Sequence, residues 1–182
     1  SEGKIIFIAE SAFDSNKAPP PILSLPNKEK ATCVACCQKF LFALSSTGRI
    51  YKCVLSSNEK IESSFELVSE LADIKCIQIS GTWNHCFAVA EDGRLFAFGI
   101  NFCCQIGLPN ENLSVKNFIQ VEVLKEYKIK TAFGGYTHSL FITDEGKLLS
   151  CGRNSFGQLL LESGPCKTIT SPPKETIITS GA

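Results

Sequence analysis

Residues 81–99 read GTWNHCFAVAEDGRLFAFG, and the fold follows from this stretch. Two apolar runs, 85–90 and 95–98, flank the pair Asp92-Gly93. Short apolar runs joined by Asp-Gly predict a β-hairpin, with Gly93 taking the positive φ that a type I′ turn demands. The pattern returns at residues 134–152, GGYTHSLFITDEGKLLSCG. With Gly93 set on Gly146, His85 falls on His138, Trp83 on Tyr136 and Gly99 on Gly152. The match continues outward: Gly99-Ile100-Asn101 precedes Gln105, as Gly152-Arg153-Asn154 precedes Gln158. A fainter copy, FLFALSSTGRIYKC at 40–53, has Gly48 at the turn and Phe40 in place of the histidine. A stump, GKIIFI at 3–8, precedes it. The turn glycines Gly3, Gly48, Gly93 and Gly146 are thus spaced by 45, 45 and 53 residues. Repetition at this period means stacked supersecondary units, each burying its apolar faces only against its neighbours.

Each unit reads as about four short strands separated by turn signals. Strands are predicted at 4–9, 32–36, 40–45, 49–54, 74–80, 118–123 and 130–133 besides the two hairpins. No window carries a sustained helical apolar stripe with caps. In CFAVA, Phe87 and Val89 point one way and Cys86, Ala88 and Ala90 the other, so both faces of the strand are apolar. Strands buried on both faces fit blades stacked face to face around an axis, an all-β propeller of four-stranded antiparallel sheets. The chain then divides into a half blade and Pro-rich connector (1–31), repeat 1 (32–80), repeat 2 (81–133), and repeat 3 with the start of the next (134–182). Within the connector, Pro19-Pro20-Pro21 forbids a central strand, while Ile22, Leu23 and Leu25 can tuck an extended segment against the core. Residues 163–174 read as a Gly/Pro/Thr loop, and 175–182 as the next inner strand, aligned through Gly181 on Gly81. Three units and part of a fourth are not expected to close a ring alone.

Composition bounds the function. The chain has 182 residues, a formal net charge of zero and a 44% hydrophobic content. Neutrality gives no general affinity for nucleic acid or anionic membranes. No apolar run approaches the length of a membrane span, and the first residues lack the pattern of a signal peptide. Methionine is absent, which predicts a processed chain or a segment of a longer one. Of ten cysteines, Cys53, Cys76, Cys86 and Cys151 sit in apolar strands, where they read as buried reduced thiols in an intracellular, reducing setting, cytoplasm or nucleus.

The combination G-x-x-x-H, an apolar strand, a glycine turn, a second strand and then G-x-N-x-x-x-Q resembles the regulator of chromosome condensation repeat family. Gly81, His85, Asp92, Gly93, Gly99, Asn101 and Gln105 carry it in one copy. Gly134, Gly135, His138, Gly146, Gly152, Asn154, Gly157 and Gln158 carry it in the other. The resemblance is strong over 75–161, weaker over 33–55 and slight over 3–14. It implies a seven-bladed propeller of which this chain supplies about half, completed by the rest of its own propeller or by a second copy. In exchange-factor members, acidic residues on the turn before the histidine touch a small GTPase. The matching positions here, Trp83-Asn84 and Tyr136-Thr137, hold no carboxylate. The family's plant ultraviolet-B photoreceptor clusters tryptophans, and the single tryptophan here argues against light sensing.

Trp83, Asn84, Tyr136 and Thr137 are therefore the candidate partner-binding residues, because exposed aromatics dominate binding hot spots; inner packing of the two rings is the competing reading. Gly81, His85, Gly93, Gly99, Gly135, His138, Gly146 and Gly152 are read as structural, with each histidine buried and hydrogen-bonded to backbone at a blade's inner turn. Cys33 and Cys36 form one C-x-x-C without a second, and in a strand they point to opposite faces, so no metal is expected. No nucleophile–base pattern or phosphate-cradling loop is present, so neither a catalytic residue nor a cofactor is expected. Lys125, Lys128 and Lys130 read as a solvated edge. The expected function is a protein-interaction module, a propeller scaffold in signalling or trafficking and not an enzyme. The alternative is a guanine-nucleotide exchange factor for a small GTPase.

Overall fold

The computed structural model describes residues 5–6, 22–55, 64–109, 112–160 and 169–176. Strands β1 (Ile5–Ile6) and β2 (Ile22–Leu23) pair antiparallel, Ile5 opposite Leu23. Three four-stranded antiparallel sheets follow. The first orders β3 (Ala31–Cys37), β4 (Phe40–Ser45), β5 (Ile50–Val54) and β6 (Glu66–Leu67). The second orders β7 (Cys76–Gly81), β8 (His85–Ala90), β9 (Leu95–Ile100) and β10 (Ser114–Gln120). The third orders β11 (Ile129–Gly134), β12 (His138–Thr143), β13 (Leu148–Gly152) and β14 (Ile169–Thr176). The innermost strands β3, β7 and β11 touch in succession, so the sheets are blades of a partial β-propeller. The inner strand β7, which the division at residue 80 groups with repeat 1, hydrogen-bonds within the second sheet.

Alternation along each hairpin builds the cores between blades. Cys86, Ala88 and Ala90 pack with Phe42, Phe96 and Phe98 between blades one and two. Phe87 and Val89 pack with Ala97, Phe141 and Leu149 between blades two and three. Phe87 and Phe141 meet edge to face, their centroids 5.2 Å apart. A third cluster, with Leu41, Tyr51, Ile5 and Leu25, lies on the outer face of blade one, so the extended connector does cover the core there.

Four local expectations are corrected. The hairpin turn at Asp92-Gly93 is not type I′. Gly93 N–H donates to Ala90 O (3.0 Å) and Ala90 N–H to Arg94 O (2.9 Å), and Asp92 is not among the residues with positive φ. The three-residue loop is an ordinary turn followed by Gly93 at φ +90, a combination that suits strand twist as well as the two-residue type does. The strand expected at 118–123 runs instead from Ser114 to Gln120, taking in residues read as loop, and Glu122–Leu124 is a 3-10 turn. Buried Val121 and Leu124 lie three apart, the spacing that eclipses in a 3-10 helix. Val68 and Leu71 repeat the device one blade earlier. The expected loop at 163–174 contains most of β14, whose Pro172-Pro173 falls where the pairing slips between Ser150 and Gly152. An outermost strand tolerates proline because one side of it needs no ladder donors. Finally, residues 175–176 belong to that outer strand rather than to a following inner one; 177–182 lie outside the described residues.

The repeat motif beyond the hairpin folds the outer loop. Buried Asn101 donates Nδ2 to Leu108 O and Pro109 O, each at 3.2 Å, and accepts at Oδ1 from Ile106 N–H at 3.1 Å. In the third blade Asn154 Oδ1 accepts from Leu159 N–H at 2.9 Å. Asn101→Ala strands these backbone groups and is expected to cost about 2 kcal/mol, read from chemical denaturation. A loss under about 0.5 kcal/mol, the usual size of a surface change, would show that water replaces the side chain.

Candidate functional site

Hairpins β8–β9 and β12–β13 carry their preceding turns to one end of the blades. Gly99 pairs with His85 across one hairpin and Gly152 with His138 across the other. Ile100 N–H donates to Asn84 O and Arg153 N–H to Thr137 O, both at 2.8 Å, so the two turns have the same backbone frame. On that frame Trp83 and Tyr136 stack, their rings 5.1 Å apart and inclined by 13°. They remain 69% and 61% exposed, which places the pair on the surface rather than in the inner packing.

The stack walls a cleft of about 490 Å³ between blades two and three. Asn84 and Thr137 line it, together with Gln38, Ile100, Phe102, Cys103 and Gln105. All four candidate partner-binding residues therefore meet at one cleft. Asn84 is buried, however, and its Oδ1 lies 2.7 Å from His85 Nδ1. The additional lining residues were not singled out as binding residues. Phe102 and Cys103 lie between Asn101 and Gln105 of the repeat motif, in a loop whose other residues are mostly apolar too, so neither stood out. Gln38 arrives from the β3–β4 turn, where its N–H donates to Trp83 O at 3.0 Å, a contact with no local sequence mark.

Beneath the cleft lies a polar seam. His85 is wholly buried. Thr82 Oγ1 sits 2.9 Å from its Nδ1, and Ser139 Oγ of the next blade 3.0 Å from its Nε2. Ser139 Oγ–H in turn donates to Gln105 O at 2.5 Å. Burial, with the neighbouring His138 as a lesser cause, pushes the His85 pKa down to about 4. A neutral imidazole thus ties two blades together; its bonds reach side chains as well as the backbone anticipated. His138 is only half-buried, with its pKa lowered by burial. Next to it Gly135 N–H donates to His138 O at 2.8 Å. Gly81 pairs with Cys86 at the end of β7, and Gly146 has φ +81 at its hairpin turn.

Among the described residues, no three His, Cys, Asp or Glu side chains gather where a metal could sit. Cys33 Sγ lies 3.7 Å from Ile79 O of the next blade. Nine described cysteines are free thiols. Burial pushes Cys37 up to about 12 and Cys53 and Cys76 to about 11, so they stay protonated and unreactive near neutrality. No helix among the described residues is long and apolar enough to cross a membrane.

Blades, cross-strand glycines and buried inner-turn histidine define a repeat-built β-propeller segment. Residues 76–105 and 129–158 match the regulator of chromosome condensation (RCC1) repeat, so the chain contains two repeats of that family. It is 29% identical over 138 residues to the ultraviolet-B receptor UVR8 of Arabidopsis thaliana, covering 72% of this chain and 31% of the receptor. It is 33% identical over 131 residues to the secretion-regulating guanine nucleotide exchange factor of Bos taurus, covering 71% of this chain and 27% of that protein. In yeast RCC1 (Prp20), solved bound to Kap60, 89% of this chain superposes on 40% of the propeller with a TM-score of 0.69 at 22% identity, which establishes the shared fold. The chain spans less than a third of the length of these two curated relatives.

Proposed function

We propose that this chain is the protein-interaction section of a regulator-of-chromosome-condensation propeller, a scaffold in signalling or trafficking, and that its partner docks on the Trp83–Tyr136 cleft. The observation that carries this is the exposed ring stack itself. Two large aromatic surfaces are left in water on a rigid frame, the arrangement that supplies buried anchors once a partner covers it. The relatives support a shared platform over a shared reaction, since one is named a light receptor and another an exchange factor. The work assigned to the chain is binding rather than bond chemistry, inside the cell, with the remaining blades supplied by the rest of its own propeller or by a second copy. The test places a photo-crosslinking residue at Phe102, in the cleft, or at Val123, exposed away from it, in cells making the protein. Partner crosslinks should form from position 102 and vanish with Trp83→Ala; equal labelling from both positions defeats the reading.

A second reading is exchange on a small GTPase, favoured by the relative that bears that name. Exchange demands tighter binding of the nucleotide-free GTPase than of the loaded one. The turns here offer Trp83-Asn84 and Tyr136-Thr137, with no carboxylate, to such a partner. The chain is therefore expected to leave fluorescent guanine nucleotide on a panel of small GTPases undisturbed. Accelerated release that disappears with Trp83→Ala and Tyr136→Ala would promote this reading above the scaffold.

A further inference from the structure

We propose that the cleft between blades two and three takes a proline-rich segment of a partner protein in the polyproline II conformation. This deepens the interaction reading above and rests on it. The decisive group is Gln105, which lines the cleft although only 1% of it is exposed. Its Oε1 accepts from Cys103 N–H at 2.9 Å, which fixes the amide's orientation. The same bond recurs one blade on, from Phe156 N–H to Gln158 Oε1 at 2.8 Å. That leaves Nε2 without a partner among the described residues, yet no buried side-chain nitrogen or oxygen is stranded from solvent. The free amide donor therefore faces the cleft. The floor of the cleft thus asks for an acceptor.

The walls narrow the choice. Trp83, Tyr136 and Phe102 present exposed rings, and among the described residues no lysine, arginine or carboxylate lines the cleft. A charged ligand group would lose its hydration there with no opposite charge to meet it. The occupant must be neutral, apolar in its side chains and rich in unpaired carbonyls. A polyproline II segment has these properties together. Its carbonyls make no internal hydrogen bonds, and its prolines carry no N–H to be stranded against apolar walls. Its rings lie flat on exposed aromatic surfaces, and its stiffness lowers the entropy lost on docking. A flexible apolar strand loses more conformational entropy on docking than a stiff polyproline II segment does.

Trp83 is the only tryptophan in the chain, so its emission reports directly on the cleft. Unlabelled decaproline titrated into the chain should shift that emission saturably. Fluorescein-labelled decaproline should gain anisotropy over the same range. Affinity should fall at least about tenfold with Trp83→Ala, and similarly with Gln105→Glu, which keeps the oxygen that Cys103 binds and replaces the donor. Phe102→Ala, at an exposed ring outside the buried network, should weaken binding while leaving the circular dichroism unchanged. A ten-residue Gly-Ser peptide carrying two leucines should not bind. No decaproline binding up to about 1 mM, or binding indifferent to Trp83 and Phe102, overturns the proposal. Trp83-dependent binding of the leucine peptide alone would overturn the proline ligand while leaving the interaction face intact. Crosslinks from position 102 with no peptide binding would do the same.

Discussion

Gly99→Ala is expected to destabilise the chain by about 3 to 5 kcal/mol. Gly99 has φ +107, outside the comfortable range of L side chains. A Cβ there collides with the carbonyl oxygen of Asn84 and lies 2.8 Å from His85 Cα. Both obstacles are backbone, so neither can turn aside, and the Asn84 carbonyl also holds Ile100 N–H. Strain at positive φ and overpacking each contribute about 1 to 3 kcal/mol. Gly146→Ala is the control: φ is +81, but nothing lies within 4 Å of the added carbon. Its cost should be about 1 kcal/mol, from conformation alone. Urea midpoints of the two variants measure the difference. Equal small shifts would mean that the cross-hairpin contact at Gly99 relaxes freely.

Acidification from pH 7 to pH 4.5 should remove most of a further 3 kcal/mol or so through His85 alone. Its folded pKa lies near 4 against an ordinary 6.5. Above pH 6.5 the ring is neutral in both states and stability is insensitive to it. Below 6.5 the unfolded chain binds a proton that the folded chain refuses, so stability drops as pH falls and levels off near 4. The acidic groups with shifted values, Glu29 and Asp92, are lowered, so their losses begin further down. Hydrogen-bonding and attraction from Arg49 and Arg94 outweigh the burial that would raise them. His85→Leu should leave between pH 4.5 and 6.5 only the smaller slope due to His138, whose pKa burial also lowers. A wild-type profile already flat there would show that the imidazole is reached by water.

Much of this architecture was legible in residues 81–99 and their echo. Period, hairpins and the two-way burial of CFAVA followed from apolar alternation, and blades two and three bear it out to within a residue or two. The misread parts share a cause. At 121–124 the spacing of Val121 and Leu124 admits both a strand and a tight helical turn, and only packing beneath β9 selects the turn. At 169–176, proline content argued for a loop, but β13 offers an unpaired edge that proline can join. Of the site, Trp83 and Tyr136 could be paired by alignment, whereas their stacking could not, since it depends on the rotation between blades. Gln38 and Phe102 were hidden because they reach the cleft from separate loops.

The hydrogen bonds that cross from blade two to blade three also set a timetable for synthesis. Gln78 Nε2 and Ser80 Oγ donate to Ala132 O, and His85 Nε2 waits for Ser139, 54 residues further along the chain. At roughly 5 to 20 residues per second, a ribosome takes roughly 3 to 11 s to supply those partners. Throughout that interval the second hairpin has its strands but not the groups that satisfy its buried polar atoms. A nascent chain stalled soon after residue 105 should therefore be cut readily by protease, and one stalled after the third hairpin has left the exit tunnel should resist.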